Sequence, residues 1–224
     1  MIGNDIVDLD DPETAAEVLH PRFDQRVFTH GEREWIESAA DSKRARWTLW
    51  AAKEAAWKAL AQRFPERGFS PRGLEVEPGP GGRATVTAAE ARLFVRFDSS
   101  PAACFFRGSA GRASSGGVPP ASTANSIHAI ASFEEMLAVS HIRQLAVGAE
   151  HAADLPSRAV RVLACTQRAL EIGVAVGRLT VARGRGGAPQ FRLDDAVLPG
   201  ALSFSHHGRL VAAVWTQTPC AEAA

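Results

Sequence analysis

Glu54 is the first residue whose surroundings imply chemistry. It lies in the run Trp47-Thr48-Leu49-Trp50-Ala51-Ala52-Lys53-Glu54-Ala55-Ala56-Trp57-Lys58-Ala59-Leu60. That run is rich in alanine, lacks glycine and proline, and predicts a helix. On a wheel of about 100° per residue, Trp47, Trp50, Trp57 and Ala61 occupy roughly one quarter of the circumference. Glu54 falls in the middle of that arc and Lys58 sits one turn on, at its edge. A carboxylate left unpaired among three tryptophans is strongly disfavoured, so Glu54 must meet a metal, a cation or a strong donor. The helix alone leaves two readings open: a Glu54–Lys58 pair that only holds the core, or an acid with a chemical task. A second acid has the same inward character. Ile2 to Leu9 alternates as a strand, with Gly3, Asp5, Val7 and Leu9 on one face and Ile2, Asn4, Ile6 and Asp8 on the other. Asp5 thus points with Val7 and Leu9 towards apolar cover, while Asp10 and Asp11 are better placed to serve the turn that follows.

Composition narrows the partners. The chain of 224 residues suits one large domain or two packed halves, and 46% hydrophobic residues supply a sizeable core. Lys plus Arg and Asp plus Glu each number 25, and a net charge of zero argues against nucleic acid as the main partner. Cys104, Cys165 and Cys220 are scattered and odd in number, so they read as reduced thiols of a cytoplasmic protein. The first residues resemble neither a signal nor a transit peptide. No apolar run approaches the roughly 18 residues of a membrane span.

The elements that must position Asp5 and Glu54 are legible in outline. Asp11-Pro12-Glu13 is an N-cap, a first-turn proline and a first-turn acid, opening a helix to about Leu19 that His20-Pro21 breaks. Thr29-His30-Gly31-Glu32 has the form of a capping box, with a helix to about Ala40. Asp41 or Ser42 caps the central helix, which runs to about Phe64. Gly73 to Glu77 and Arg83 to Thr87 read as strands around Pro78-Gly79-Pro80-Gly81-Gly82; Leu93 to Phe97 follows, with Cys104 to Phe106 as a continuation. Residues 108–124 are rich in Gly, Ser, Ala and Pro and read as a flexible connection between a first half, 1–107, and a second, 125–224. In the second half, Ser126 to Ser132 is a strand and Ser157 to Ile172 a helix. Leu179 to Val181 and Gln190 to Leu193 are strands, and Ala201 to His206 with Leu210 to Thr216 forms a hairpin. Strand, long helix and hairpins, twice over, imply an α+β fold of two similar halves about a pseudo-twofold.

Several motifs are only apparent. The glycines at 184–187 lack both the GxxxxGK[ST] pattern of a phosphate loop and the GxGxxG of a dinucleotide fold. His206 and His207 are strand neighbours and point to opposite faces, so one metal ion cannot easily take both. No GxSxG elbow for a serine hydrolase is present.

Three features remain, in this order: Gly3-Asn4-Asp5, then Trp50-x-x-Lys53-Glu54-x-x-x-Lys58, then Ser203-Phe204-Ser205-His206. Together they resemble the 4'-phosphopantetheinyl transferase superfamily, whose signatures are G-x-D near a strand end, W-x-x-K-E-x-x-x-K on a helix and S-x-S-H on a strand. Arg22 to Thr29, followed by Glu32, is similar to the intervening segment of the holo-acyl-carrier-protein synthase branch. The resemblance covers roughly the first 65 and last 40 residues. Members either trimerise or fuse two units in one chain; this length with two halves looks like the fused form, which implies a monomer. The motif order is that of the short trimeric branch, while Gly187-Ala188-Pro189 before Ser205-His206 is similar to the G-K-P then S-H-S order of the longer one.

The resemblance implies transfer of 4'-phosphopantetheine from coenzyme A to a serine of an acyl or peptidyl carrier protein, releasing adenosine 3',5'-bisphosphate. Asp5 and Glu54 would hold Mg2+, a hard cation that takes one or two carboxylates and fills its octahedron with phosphate oxygens and water. Lys58 would meet the same phosphates. Glu54 or a bound water would take the serine proton. Pro189, Ser205 and His206 would contact coenzyme A, His206 at its nucleotide end. Two positions depart from the family. Val7 stands where the longer branch has a third acid, and Ala188 replaces the lysine of G-K-P, with Arg185 or Arg192 available in its place. The alternatives are a non-catalytic module that binds coenzyme A or carrier protein, and a Mg2+-dependent nucleotide hydrolase using the same acids.

Overall fold

The computed structural model of the protein describes residues 1–89, 91–98, 125–133, 142–148, 155–184 and 187–216. The expected connection at 108–124 and the strand continuation Cys104 to Phe106 lie outside these residues.

The fold is α+β. Its pivot is α3, Ser42–Arg63, capped by Asp41, whose carboxylate accepts from the Arg44 N–H at 2.8 Å. Trp47, Leu49, Ala51, Ala52, Ala55, Ala56, Ala59 and Leu60 are all buried, so most of the circumference of α3 faces protein. Under it lies an antiparallel sheet of five strands: β1 (Ile2–Asp8), β2 (Glu75–Gly79), β3 (Arg83–Ala88), β4 (Ala91–Asp98) and β5 (Ser126–Ser132), in the order β1-β5-β4-β3-β2. The strand Ser126–Ser132, with which the sequence opens the second half, thus sits between β1 and β4 in this sheet, pairing Asp5 with Ala129 and Ile6 with His128. α1 (Phe23–Val27) and α2 (His30–Ser38) flank α3, and Thr29 and Glu32 complete the expected capping box.

The second layer is a sheet of β6 (Ile142–Gly148), β10 (Leu202–His207) and β11 (Leu210–Thr216), in the order β10-β11-β6. α4 (Leu155–Ile172) packs on β11 and β10, and on the small sheet of β7 (Leu179–Arg183), β8 (Pro189–Leu193) and β9 (Ala196–Val197). Among the described residues no helix is long and apolar enough to cross a membrane.

Three elements differ from the sequence reading. Asp11 to Leu19 is two 3-10 turns, Pro12–Thr14 and Ala16–Val18, interrupted at extended Ala15. The Thr14 hydroxyl, donating to the Leu9 and Asp11 carbonyls, ties this segment to the end of β1 instead of letting it continue as a helix. α1 and β6 do not stand out in the sequence: α1 is only five residues long, and β6 becomes a strand through its pairing with β11.

β1 is buried along its whole length because both of its faces are covered. Gly3, Asp5 and Val7 face α3; Ile2 and Ile6 face β11, where Ile6 meets Leu210 and Ala212, and Ile2 meets Val214. β1 also ends the five-stranded sheet, so its outer N–H and C=O groups need partners. Side chains provide them. Gln62 accepts from the Ile2 N–H and donates to the Ile2 carbonyl. Ser203 Oγ accepts from the Asn4 N–H at 3.0 Å, Ser205 Oγ from the Ile6 N–H at 2.8 Å, and His207 Nδ1 from the Asp8 N–H at 3.2 Å. The turn after β10 closes the seam, with the Arg209 guanidinium donating twice to the Asp8 carboxylate and once to Asp10, and the Arg209 N–H donating to Asp8 as well.

Candidate active site

The packing of α3 on β1 builds the site. A Cβ on Gly3 would lie 2.7 Å from the Ala59 backbone N and nearer still to the Ala55 carbonyl oxygen. Gly3 and the alanines of α3 therefore let helix and strand backbones touch, and that contact carries Asp5 against the face of α3 that holds Glu54 and Lys58. Lys58 donates to Asp5 Oδ1 at 2.9 Å and to the Asn4 carbonyl at 3.0 Å. Ser205, buried on β10, donates to the same Asp5 Oδ1 at 3.0 Å. Both donors use Oδ1, and Asp5 Oδ2 carries no hydrogen bond among the described residues.

Glu54 completes the group. Burial first, and then the charge of Asp5, push its carboxyl up to about 7, partly offset by Lys58. On the same helix, the expected Trp47, Trp50 and Trp57 join Phe69, which the sequence did not single out, in a chain of ring contacts with successive centroids 6.3, 5.9 and 5.0 Å apart. Lys58 pairs with Asp5 across to β1, so Glu54 has a cation near it without an ion pair of its own within 4.0 Å among the described residues. The described residues hold no cluster of three or more metal-ligating side chains. Val7, two residues after Asp5 on the same face of β1, is buried in the apolar core.

Lys53, the neighbour of Glu54 in the motif, points elsewhere. Fully buried, it pairs with Glu32 at 2.8 Å and donates to the carbonyls of Pro71 and Leu74. Glu32 in turn accepts from the Val76 N–H at 2.7 Å. Lys53 thus ties α3 to α2 and to the start of β2, about a quarter turn away from the site.

Beside Lys58 opens a cavity of about 310 Å³ between α3, α4, the β7–β8 hairpin and β10. Lys58, Gln62, Arg161, Arg183, Pro189 and Phe204 are among the residues lining it. Arg161 and Arg183 are exposed and have no acidic partner among the described residues. The sequence reading missed both, because neither belongs to a motif and they come from different elements. Arg192, one of the two replacements expected for the lysine absent at Ala188, instead donates to the Asp195 carbonyl at 2.7 Å; Arg185 lies outside the described residues.

Of the six residues expected at the site, Asp5, Glu54, Lys58 and Ser205 converge, and Pro189 joins Lys58 in the cavity wall. His206 does not join them. Strand alternation turns Ser203, Ser205 and His207 towards β1, leaving His206 exposed on the opposite face and outside the cavity lining. His128 and Asn4 are further buried polar residues that the sequence did not single out. Asn4 Nδ2 lies 3.2 Å from His128 Nε2, and burial, followed by the charges of Arg96 and Lys58, holds the imidazole down at about 3 and hence neutral.

Residues 1–111 match the model of the 4'-phosphopantetheinyl transferase superfamily. A stretch of 64 residues is 36% identical to part of fatty acid synthase alpha subunit aflA of Aspergillus parasiticus. That match takes in 29% of this chain and spans only 4% of the length of the relative.

Proposed function

We propose that this chain, which through residues 1–111 belongs to the 4'-phosphopantetheinyl transferase superfamily, moves 4'-phosphopantetheine from coenzyme A to a serine of an acyl or peptidyl carrier protein. The observation that carries the reading is Glu54, raised to about 7 opposite Asp5, with Lys58 one helical turn away. Burial and the Asp5 charge both oppose ionisation of Glu54, and a divalent cation held by Asp5 and Glu54 would offset that opposition, so these residues fit Mg2+. When bound, Mg2+ supplies charge neutralisation for the pyrophosphate and the departing phosphate.

The chain's own residues account for the rest. Lys58, held at Asp5 Oδ1, presents its ammonium at the rim of the cavity, where phosphate oxygens would sit. Arg161 and Arg183 suit the remaining phosphates of the donor, in the place of the lysine absent at Ala188. Pro189 and Phe204 give the cavity apolar wall for the uncharged part of the donor. In the reaction, the serine oxygen forms a bond to the β-phosphorus of coenzyme A. The bond from that phosphorus to the bridging oxygen breaks, and adenosine 3',5'-bisphosphate leaves with the electron pair. The serine proton passes to Glu54 or to a bound water.

The test is mass spectrometry of an apo carrier protein incubated with the chain, coenzyme A and Mg2+. Gain of the phosphopantetheine mass, together with release of adenosine 3',5'-bisphosphate, is the expected result. An unmodified carrier would turn the reading to a binding module, and nucleotide cleavage without an acceptor to a hydrolase. A chain that contains both halves of the site would act as a monomer, and a light-scattering mass near three times 23.9 kDa would oppose that.

A further inference from the structure

We propose that Ser205 is a positioning residue for Asp5: it turns the carboxylate so that Oδ1 stays bound to the protein and Oδ2 is presented to the metal. The inference rests on Asp5 being a metal ligand, as proposed above. It assigns Ser205 a role other than contact with coenzyme A.

The argument starts from the strand edge. Ser203, Ser205 and His207 lie at period two on β10, and each accepts a hydrogen bond from an outward N–H of β1, those of Asn4, Ile6 and Asp8. A serine hydroxyl has one proton and can accept and donate at once. At Ser205 the acceptor side is taken by the Ile6 N–H at 2.8 Å, so the hydroxyl proton is directed elsewhere, and the group it meets is Asp5 Oδ1 at 3.0 Å. Ser203 and His207 share the edge-capping role, and neither hydrogen-bonds Asp5. Ser205 is 4% exposed and is not among the residues that line the cavity. Lys58 binds the same oxygen from the side of α3. Two donors from two elements thus fix Oδ1, and the carboxylate keeps one oxygen for a cation. Such outer hydrogen bonds orient metal-binding carboxylates, and their loss typically weakens metal affinity by about 10- to 100-fold.

The test separates orientation of Asp5 from cohesion of the strand edge. The protein is stripped of metal and titrated with Mn2+, with and without coenzyme A, and free Mn2+ is read by electron paramagnetic resonance; thermal unfolding is recorded alongside. Ser205→Ala is expected to raise the Mn2+ dissociation constant by roughly 10- to 100-fold. Ser205→Thr, which keeps the hydroxyl, should restore binding. His207→Ala, which removes the cap of the Asp8 N–H, should lower the unfolding temperature without changing the Mn2+ constant. If Ser205→Ala does not fold, Ser205→Cys replaces it, because a thiol is a poor donor of similar size. Equal weakening in the Ser205 and His207 variants, or unchanged affinity in Ser205→Ala, would overturn the proposal and leave the metal assignment standing. Absence of Mn2+ binding by the unmodified protein under both conditions would overturn the metal assignment, and this inference with it.

Discussion

The backbone of Gly3 touches the backbone of Ala59: a side chain of even one carbon at Gly3 would lie 2.7 Å from the Ala59 nitrogen. The Gly-x-Asp spacing follows from this. Strand alternation turns residues 3 and 5 to the same face, so the residue that lets α3 approach stands one pleat before the acid that needs its company. Gly3→Ala has no flexible neighbour to displace and must push α3 from β1. Overpacking of this kind costs about 1–3 kcal/mol, and backbone contacts place this case at the upper end. The variant should show a lower urea midpoint and a larger proportional loss of turnover, because Asp5 and Glu54 separate before the domain unfolds. Wild-type stability and rate in Gly3→Ala would show that the close approach is dispensable.

Glu54 makes the metal-free protein sensitive to pH in a definite direction. Its folded value of about 7 lies above the ordinary 4.5, so the folded state binds this proton more tightly than the unfolded chain does. The corresponding stability is fully present below about 4.5 and is lost as pH rises through about 7, to the extent of roughly 3 kcal/mol. In EDTA, the unfolding temperature of the wild type should therefore fall between pH 5 and pH 8 relative to that of Glu54→Gln. The same substitution should lower turnover by about 100-fold or more. Parallel stability curves for the two proteins would refute the raised value.

Arg183 and His206 are the two candidates for contact with the phosphates of the proposed donor. Arg183 lines the cavity, whereas His206 is exposed outside it. Arg183→Ala should raise the KM for coenzyme A by about 10- to 100-fold with a smaller change in kcat, the signature of lost uniform binding through charge-assisted hydrogen bonds. His206→Ala should change the KM by less than about threefold, a loss well below that of one such bond. Steady-state kinetics with the reverse ranking would return the phosphate contact to His206.

Lys53 should behave as a structural residue although it sits beside Glu54 in the motif. Lys53→Met leaves Glu32 buried without its cation, and breaking a buried pair from one side costs about 3–5 kcal/mol. Pairing it with Glu32→Gln should recover part of that loss. Urea denaturation of the single and double variants measures the coupling. A single variant of normal stability but raised KM for coenzyme A would place Lys53 in the site instead.

Local periodicity determined a good part of this protein. The helical wheel put Glu54 inside a tryptophan arc, strand alternation put Asp5 on the face of Val7, and Thr29 with Glu32 announced the start of α2; each depends only on residues a turn or a pleat apart. The motifs grouped Asp5, Glu54 and Lys58, and the packing of α3 on β1 brings Lys58 onto Asp5 with Glu54 within range of both charges. Tertiary structure decided what lies across the chain. Ser205 meets Asp5 from 200 positions away, and Arg161 and Arg183 share a cavity with Lys58 although α4 and β7 carry no motif. Ser126–Ser132 went into the sheet of β1, and Lys53 to Glu32 rather than to the site. In none of these cases does the sequence near one partner encode the other. Which distant edges and faces meet is fixed by covering both faces of β1 and satisfying its open edge, and that is a property of the whole packed chain.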